Sequence, residues 1–282
     1  MAAVTTGRAR PGAVPAPGWR AGFTGTLRSE LTKIRSVRST YWSLFLLVVA
    51  GIAWSVAFCA GEASRWPHLS AQDKVGFDPA QASVVGLALL GQLVIVVLGT
   101  LTITSEYSTG MIRTSLTVMP RRLILGAAKA SVFTAITLVV ALLTSFAAFF
   151  IGQALLSGTH VAATLSQPGV LRAVIGAASY VALCGLFAFG LGLILRSTAG
   201  AMATAYGLLF LVPQLAKALP NTWYADAARW LPGGEVVNAI TSTQQVNNNP
   251  HLFSAWGEFA VFGAYTVAAL VAGAVLFRSR DA

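Results

Sequence analysis

The chain has 282 residues, of which 56% are hydrophobic and 10% are charged, and its formal net charge is +10. Soluble globular proteins carry about 25% charged residues, so this composition excludes an ordinary soluble domain and indicates a polytopic membrane protein. The basic residues cluster at the ends of apolar runs, so membrane topology explains the positive charge and no nucleic-acid partner is predicted.

The first forty residues divide into two segments. Residues 1–22 are rich in Ala, Pro, Gly and Arg, and no apolar core follows the early arginines, so we predict a disordered cytoplasmic tail rather than a signal peptide. Over residues 23–40 the spacing predicts a basic amphipathic helix in the membrane interface, with Leu27, Leu31 and Ile34 on its apolar stripe and Arg35 off it. The alternative is a positively charged flank that only sets orientation.

Six apolar runs follow, each long enough to cross a hydrocarbon core of about 30 Å. They are residues 41–60, 83–104, 130–156, 173–195, 199–216 and 259–277. Residues 41–282 are therefore predicted to form one all-α transmembrane domain with six membrane-spanning helices. Pro213 is expected to bend or end the fifth of them.

The distribution of Lys and Arg predicts the orientation of these spans. With the N-terminus in the cytoplasm, 14 of the 19 Lys and Arg residues lie on the cytoplasmic side. Both termini and the segment 105–129 are then cytoplasmic, and the longest external loop is 217–258. That loop is rich in Trp, Pro and Gly, which is typical either of short helices dipping into the outer leaflet or of a plain aromatic anchor belt.

The chain lacks the groups that would power transport or catalysis. None of the six runs contains Asp, Glu, Lys, Arg or His, so no proton relay is evident, although sodium coupling through carbonyl and hydroxyl groups stays open. No phosphate-binding loop, H-E-x-x-H or G-x-S-x-G motif occurs, and the three His and two Cys match no metal or redox spacing. We therefore predict no catalytic residue, no metal site and no cofactor in this chain.

Charge is concentrated in the segment 105–129, SEYSTGMIRTSLTVMPRRLILGAAK. Apolar residues from Met111 to Met119 fall on one side of a short helix, which Pro120 would end. A short amphipathic helix between two spans can dock on another protein. The alternative is an ordinary basic loop that obeys the positive-inside rule.

The ordered combination of Glu106, Gly110, Pro120-Arg121-Arg122, Gly126 and Lys129 between the second and third spans resembles the permease of type-2 ATP-binding-cassette (ABC) transporters. The resemblance covers about residues 23–280. It departs from the family at Ser105, where related permeases often have another charge.

The resemblance implies a plasma-membrane exporter of an amphipathic small molecule, drug, antibiotic or lipid. The excess of Arg over Lys, 15 to 4, with abundant Ala and Gly favours a bacterial source. Two permease subunits, identical or different, would form the pathway in the lipid bilayer, and separate ATPase subunits would bind ATP and Mg²⁺. The residues it implies for ATPase coupling are Glu106, Tyr107, Gly110, Met111, Arg113, Arg121 and Arg122. Two other functions stay open: a membrane scaffold, sensor or immunity subunit without transport, and an ATP-independent channel or carrier.

Overall fold

The structure is a computed structural model that describes residues 23–36, 38–111, 122–244 and 253–279. Within these ranges every regular element is a helix and no strand occurs. The predicted disordered tail, residues 1–22, lies outside the described residues. The helices are α1 (Phe23–Ser36), α2 (Arg38–Arg65), α3 (Ala71–Gly76), α4 (Pro79–Ser108), α5 (Arg122–Leu156), α6 (Val170–Leu195), α7 (Thr198–Ala216), α8 (Asn221–Ala228), α9 (Gly234–Thr241) and α10 (Ala255–Ser279).

Six of these helices, α2, α4, α5, α6, α7 and α10, are long and apolar enough to cross a membrane, which confirms the predicted number of spans. They extend beyond the predicted apolar runs, because backbone hydrogen bonding continues into the polar ends. With 30 residues, α4 is about 45 Å long, and α5, with 35 residues, is about 52 Å long. Both exceed a hydrocarbon core of about 30 Å, so their ends reach the membrane–water interface.

The centre of the bundle is formed by α4 and α6, which pack mainly against each other. Glycine permits their close approach: a Cβ added at Gly99 would lie 2.3 Å from the carbonyl oxygen of Gly185. The other four long helices surround this pair and leave more of their apolar side chains exposed. That exposure is the expected arrangement when lipid rather than water is the outer solvent.

The fifth long helix, α7, changes its winding before Pro213. The segment Gly207–Leu211 is π-helical, and the helix then continues through Pro213 to Ala216. Proline lacks an N–H group and its ring crowds the carbonyl one turn earlier, and a π turn relieves both constraints. The chain therefore stays helical past Pro213 instead of ending there.

The termini of the six long helices lie at two opposite ends of the bundle. One end, called here the charged end, holds α1, the last turn of α4, the first turns of α5 and the last turn of α10. The opposite end holds the first turn of α4 and the segment after α9. The two short helices α8 and α9 lie in the predicted external loop 217–258, of which residues 245–252 are not described.

Candidate functional site

A cluster of four charged side chains, three of them buried, lies at the charged end of the bundle. It consists of Glu30, Lys33, Glu106 and Lys129 and is called here the charge cluster. The Lys129 Nζ lies 2.7 Å from Glu30 Oε2 and 2.7 Å from Glu106 Oε1, so one ammonium bridges two carboxylates. The Lys33 Nζ donates to Glu30 Oε1 at 3.0 Å and lies 3.6 Å from Glu106 Oε1. The cluster is therefore electrically balanced.

Three separate helices supply these groups. Glu30 lies in the middle of α1, Glu106 is two residues before the end of α4, and Lys129 lies in the second turn of α5. The residues are 1%, 7% and 4% exposed, respectively. Removing such charges from water carries a penalty of several kcal/mol per ion, which is offset only when the charges are closely paired. The pairing therefore fixes α1 against the two spans that flank residues 109–121.

Lys33 lies at the rim of the cluster, with 40% of its side chain exposed. Burial alone would lower its pKa, but the hydrogen bond to Glu30 and the negative charges of Glu30 and Glu106 outweigh that effect and raise the pKa above its ordinary value near 10.5. Lys33 thus stays charged through the physiological range. Because of its exposure, water screens its ion pairs more than those of Lys129.

A cavity of about 300 Å³ adjoins the charge cluster between α1, the first residues of α2, and α4. Its lining residues are Glu30, Lys33, Ser39, Thr40, Leu98, Leu101, Thr102, Ser105, Glu106, Met111 and Lys129. Glu106 contributes one oxygen, Oε1, to both lysines. Its second oxygen, Oε2, is buried and has no hydrogen-bond partner among the described residues.

Three of the predicted ATPase-coupling residues lie just beyond Glu106. The guanidinium of Arg196, which follows α6, lies 5.1 Å from the ring centre of Tyr107, a cation–π contact within the charged end. Gly110 has a φ of +69°, so it ends α4 with a left-handed turn that suits glycine. Met111 is 51% exposed and lines the cavity.

Several other predicted residues cannot be placed in this geometry. The predicted docking helix falls largely in residues 112–121, outside the described residues, and so do Arg113 and Arg121. Arg122 begins α5, but its side chain is not described, and the same holds for Ile34 and Arg35 in α1. Of the predicted apolar stripe on α1, Leu27 is half-buried and Leu31 is exposed.

A second buried carboxylate fixes the opposite end of α4. Asp78 accepts from the backbone N–H of Gln81 at 3.0 Å, which makes it the N-cap of α4. It also accepts from the N–H and the hydroxyl of Thr243, from the Ser242 hydroxyl at 3.1 Å and from the Gln244 N–H at 3.3 Å. We call these contacts the Asp78 clamp, because they tie the segment after α9 to the start of α4.

Sequence reasoning singled out Glu106 and Lys129 but did not predict that Lys129 pairs with both Glu106 and Glu30. The residues of the Lys129–Glu30 pair are 99 positions apart, and those of the Lys129–Glu106 pair are 23 apart. No periodic pattern connects such positions. The one available signal was the scarcity of charge, since a charged residue beside an apolar run requires either water or a partner. The Asp78 clamp was missed entirely, although Asp before Pro79 is a recognisable helix start.

Within the described residues, no group of three or more His, Cys, Asp or Glu side chains could hold a metal ion. The two cysteines, Cys59 and Cys184, are buried and unpaired with each other. The chain matches no known protein-family model, and no curated protein shows significant similarity to it.

Proposed function

We propose that this chain is the membrane-spanning permease subunit of an ATP-driven ABC exporter, which moves an amphipathic small molecule with energy from a separate ATPase. The observation that carries the proposal is the charge cluster. It joins α1 to the two helices that flank residues 109–121, so a force applied to that loop would move three helices together. Such a connection is what a subunit driven by a partner on the membrane surface requires.

The distribution of charge within the long helices supports an energy source outside the bilayer. In the six long helices, as far as the structure describes them, every charged residue lies within eight residues of a helix end. Carriers driven by proton gradients use ionisable groups near the midplane. The proposed subunit instead receives mechanical force at the interface, where Glu106 and Lys129 lie.

The proposed arrangement places the charged end and both termini in the cytoplasm of a bacterial cell, with α1 on the inner surface of the plasma membrane. The basis is the excess of Lys and Arg on that side. A second permease subunit, identical or different, would complete the pathway. Single-cysteine labelling from outside the cell tests the orientation: a probe that cannot cross the membrane should react at Lys217→Cys and not at Ser105→Cys.

Charge reversal at Arg113, in the segment between α4 and α5, tests the ATPase partner. We expect Arg113→Glu to abolish co-purification of a phosphate-loop ATPase and substrate-stimulated ATP hydrolysis. Lys217→Glu, an equal charge change at an exposed site on the opposite end, should preserve both. Substrate transport by the purified chain alone in vesicles would refute the proposal in favour of an ATP-independent carrier. Stable association with an ATPase but no transport would favour a scaffold or sensor.

A further inference from the structure

The cavity beside the charge cluster has two chemically different ends. Charged and hydroxyl groups from α1, α2 and the last turn of α4 surround one end, and Leu98 and Leu101 line the other. Leu98 and Glu106 are eight residues apart on one helix, so the cavity wall extends about 12 Å along the bundle axis. An occupant that matches this wall has a polar head at the interface and an apolar tail toward the midplane.

The chemistry of the polar end specifies a hydrogen-bond donor. Buried polar atoms in native proteins are almost always paired, and Glu106 Oε2 is not paired with any described group. Lys129 is already held by two carboxylate oxygens at 2.7 Å, and Glu106 uses Oε1 for its ion pairs with both Lys33 and Lys129. Among the described residues Oε2 therefore accepts no hydrogen bond, and an occupant of the cavity that carries an N–H or O–H group would supply the donor.

The rim of the cavity adds a positive charge. Lys33 lines the cavity, is partly exposed and keeps its ammonium charged at neutral pH. A headgroup with an ammonium and a phosphate would then meet complementary charge at both positions, the ammonium at Glu106 and the phosphate at Lys33. A volume of about 300 Å³ is at the lower limit of small-molecule pockets, which suits a headgroup better than a whole lipid.

We propose that this cavity binds the headgroup of phosphatidylethanolamine from the adjacent leaflet, with the primary ammonium donating to Glu106 Oε2 and one acyl chain following Leu98 and Leu101. The proposal depends on the membrane location of the bundle and not on the ATPase partner. It assigns Glu106 two roles: Oε1 holds the helices together and Oε2 recognises the lipid.

The headgroup comparison that tests this proposal uses two lipids with identical acyl chains. The full chain is purified in detergent, delipidated and titrated with phosphatidylethanolamine or phosphatidylcholine, and bound lipid is counted by native mass spectrometry. Both headgroups are zwitterionic, but the choline ammonium has no N–H donor. We expect the first tightly bound ethanolamine lipid to have an affinity at least about fivefold higher than the choline lipid, as one charge-assisted hydrogen bond predicts.

Two variants locate the binding. Leu101→Trp fills the cavity from the apolar side without changing a charge, and it should remove the fivefold preference. Val139→Trp adds the same side chain on the exposed face of α5, outside the cavity, and should preserve the preference. Equal binding of the two lipids, or a preference that survives Leu101→Trp, would overturn the proposal.

The source of the headgroup is tested by competition. O-Phosphoethanolamine carries the same ammonium and phosphate without acyl chains. If it displaces the lipid at comparable concentration, the site recognises a soluble headgroup and the lipid proposal fails. We expect displacement only at concentrations at least about a hundredfold higher, because the apolar wall contributes nothing to the soluble compound.

Discussion

The two ends of α4 are both fixed by a buried carboxylate, yet by different chemistry. At the opposite end, Asp78 accepts only from backbone N–H and hydroxyl groups, and both of its oxygens are paired. At the charged end, Glu106 is paired with two lysines through one oxygen, and its other oxygen is unpaired among the described residues. Both oxygens of Asp78 therefore accept hydrogen bonds, whereas the charge cluster retains one acceptor, Glu106 Oε2, that no described group uses.

The helix dipole also acts differently on the two carboxylates. The N-terminus of a helix favours a negative charge, so Asp78 lies where α4 itself stabilises it. Glu106 lies in the last turn of the same helix, where the dipole disfavours a carboxylate. The position of Glu106 is thus explained by its pairing with other helices and not by the stability of α4. The clamp stabilises a local fold, and the cluster joins three helices.

The largest loss of folding stability is expected when Lys129 is replaced. Lys129→Met leaves Glu30 and Glu106 buried without their shared cation, and breaking a buried pair in this way costs about 3–5 kcal/mol. The measurement is thermal or denaturant unfolding in detergent. Lys217→Met removes an exposed lysine at the opposite end and should change the free energy of unfolding by less than about 0.5 kcal/mol. Similar values for the two variants would show that the cluster contributes nothing.

The next largest loss of stability is expected when the Asp78 clamp is removed. Asp78→Ala removes the N-cap of α4 and leaves the N–H groups of Thr243 and Gln244 without their acceptor. We expect a loss of about 2 kcal/mol, with Asp78→Asn intermediate because one acceptor oxygen remains. If the clamp is local, exchange of amide hydrogens in α1 will be unchanged in Asp78→Ala. Faster exchange in α1 would contradict the separation of the two ends.

A smaller loss of stability is expected from a substitution at Gly110, where α4 ends. Gly110→Ala places a Cβ at a φ of +69°, where an L-residue is disfavoured by about 1 kcal/mol. No described atom lies within 4 Å of the added Cβ, so the expected penalty comes from the backbone conformation. Gly263→Ala, at an uncrowded position within α10, is the matched control and should be neutral or stabilising, since alanine favours helix. A neutral Gly110→Ala would show that the left-handed turn is not needed.

The smallest effect is expected for Lys33, because its exposed ion pairs are screened by water. Lys33→Met should lower stability by less than about 1 kcal/mol. Its pKa is raised in the folded state, so its contribution is complete below the ordinary value near 10.5 and is lost only as the pH rises through the higher folded value. The difference in unfolding temperature between wild type and Lys33→Met should therefore be constant from pH 7 to about pH 9.5. A difference that disappears within that range would contradict the raised pKa.

The six spans could be predicted from the sequence because each apolar run is long enough to cross the bilayer. The ends of these helices could not be predicted in the same way. Hydropathy identifies only the apolar part of a helix and misses its polar turns, such as those that carry Glu106 and Lys129. The π turn before Pro213 could not be predicted either, because a proline can bend a helix, end it or be accommodated by a change of winding. The charge cluster is a contact between distant helices, and only the three-dimensional packing brings Glu30 to Lys129.

If the charge cluster holds α1 against α4 and α5, the helices that flank residues 109–121, amide hydrogen exchange in α1 will depend on Glu30. Glu30→Gln removes the charge that Lys129 and Lys33 share, and Glu62→Gln makes the same change in α2, where none of the described ion pairs is affected. We expect amide exchange within Phe23–Ser36 to be at least about tenfold faster in Glu30→Gln than in Glu62→Gln, with α6 unchanged in both. Equal protection of α1 in the two variants would contradict it.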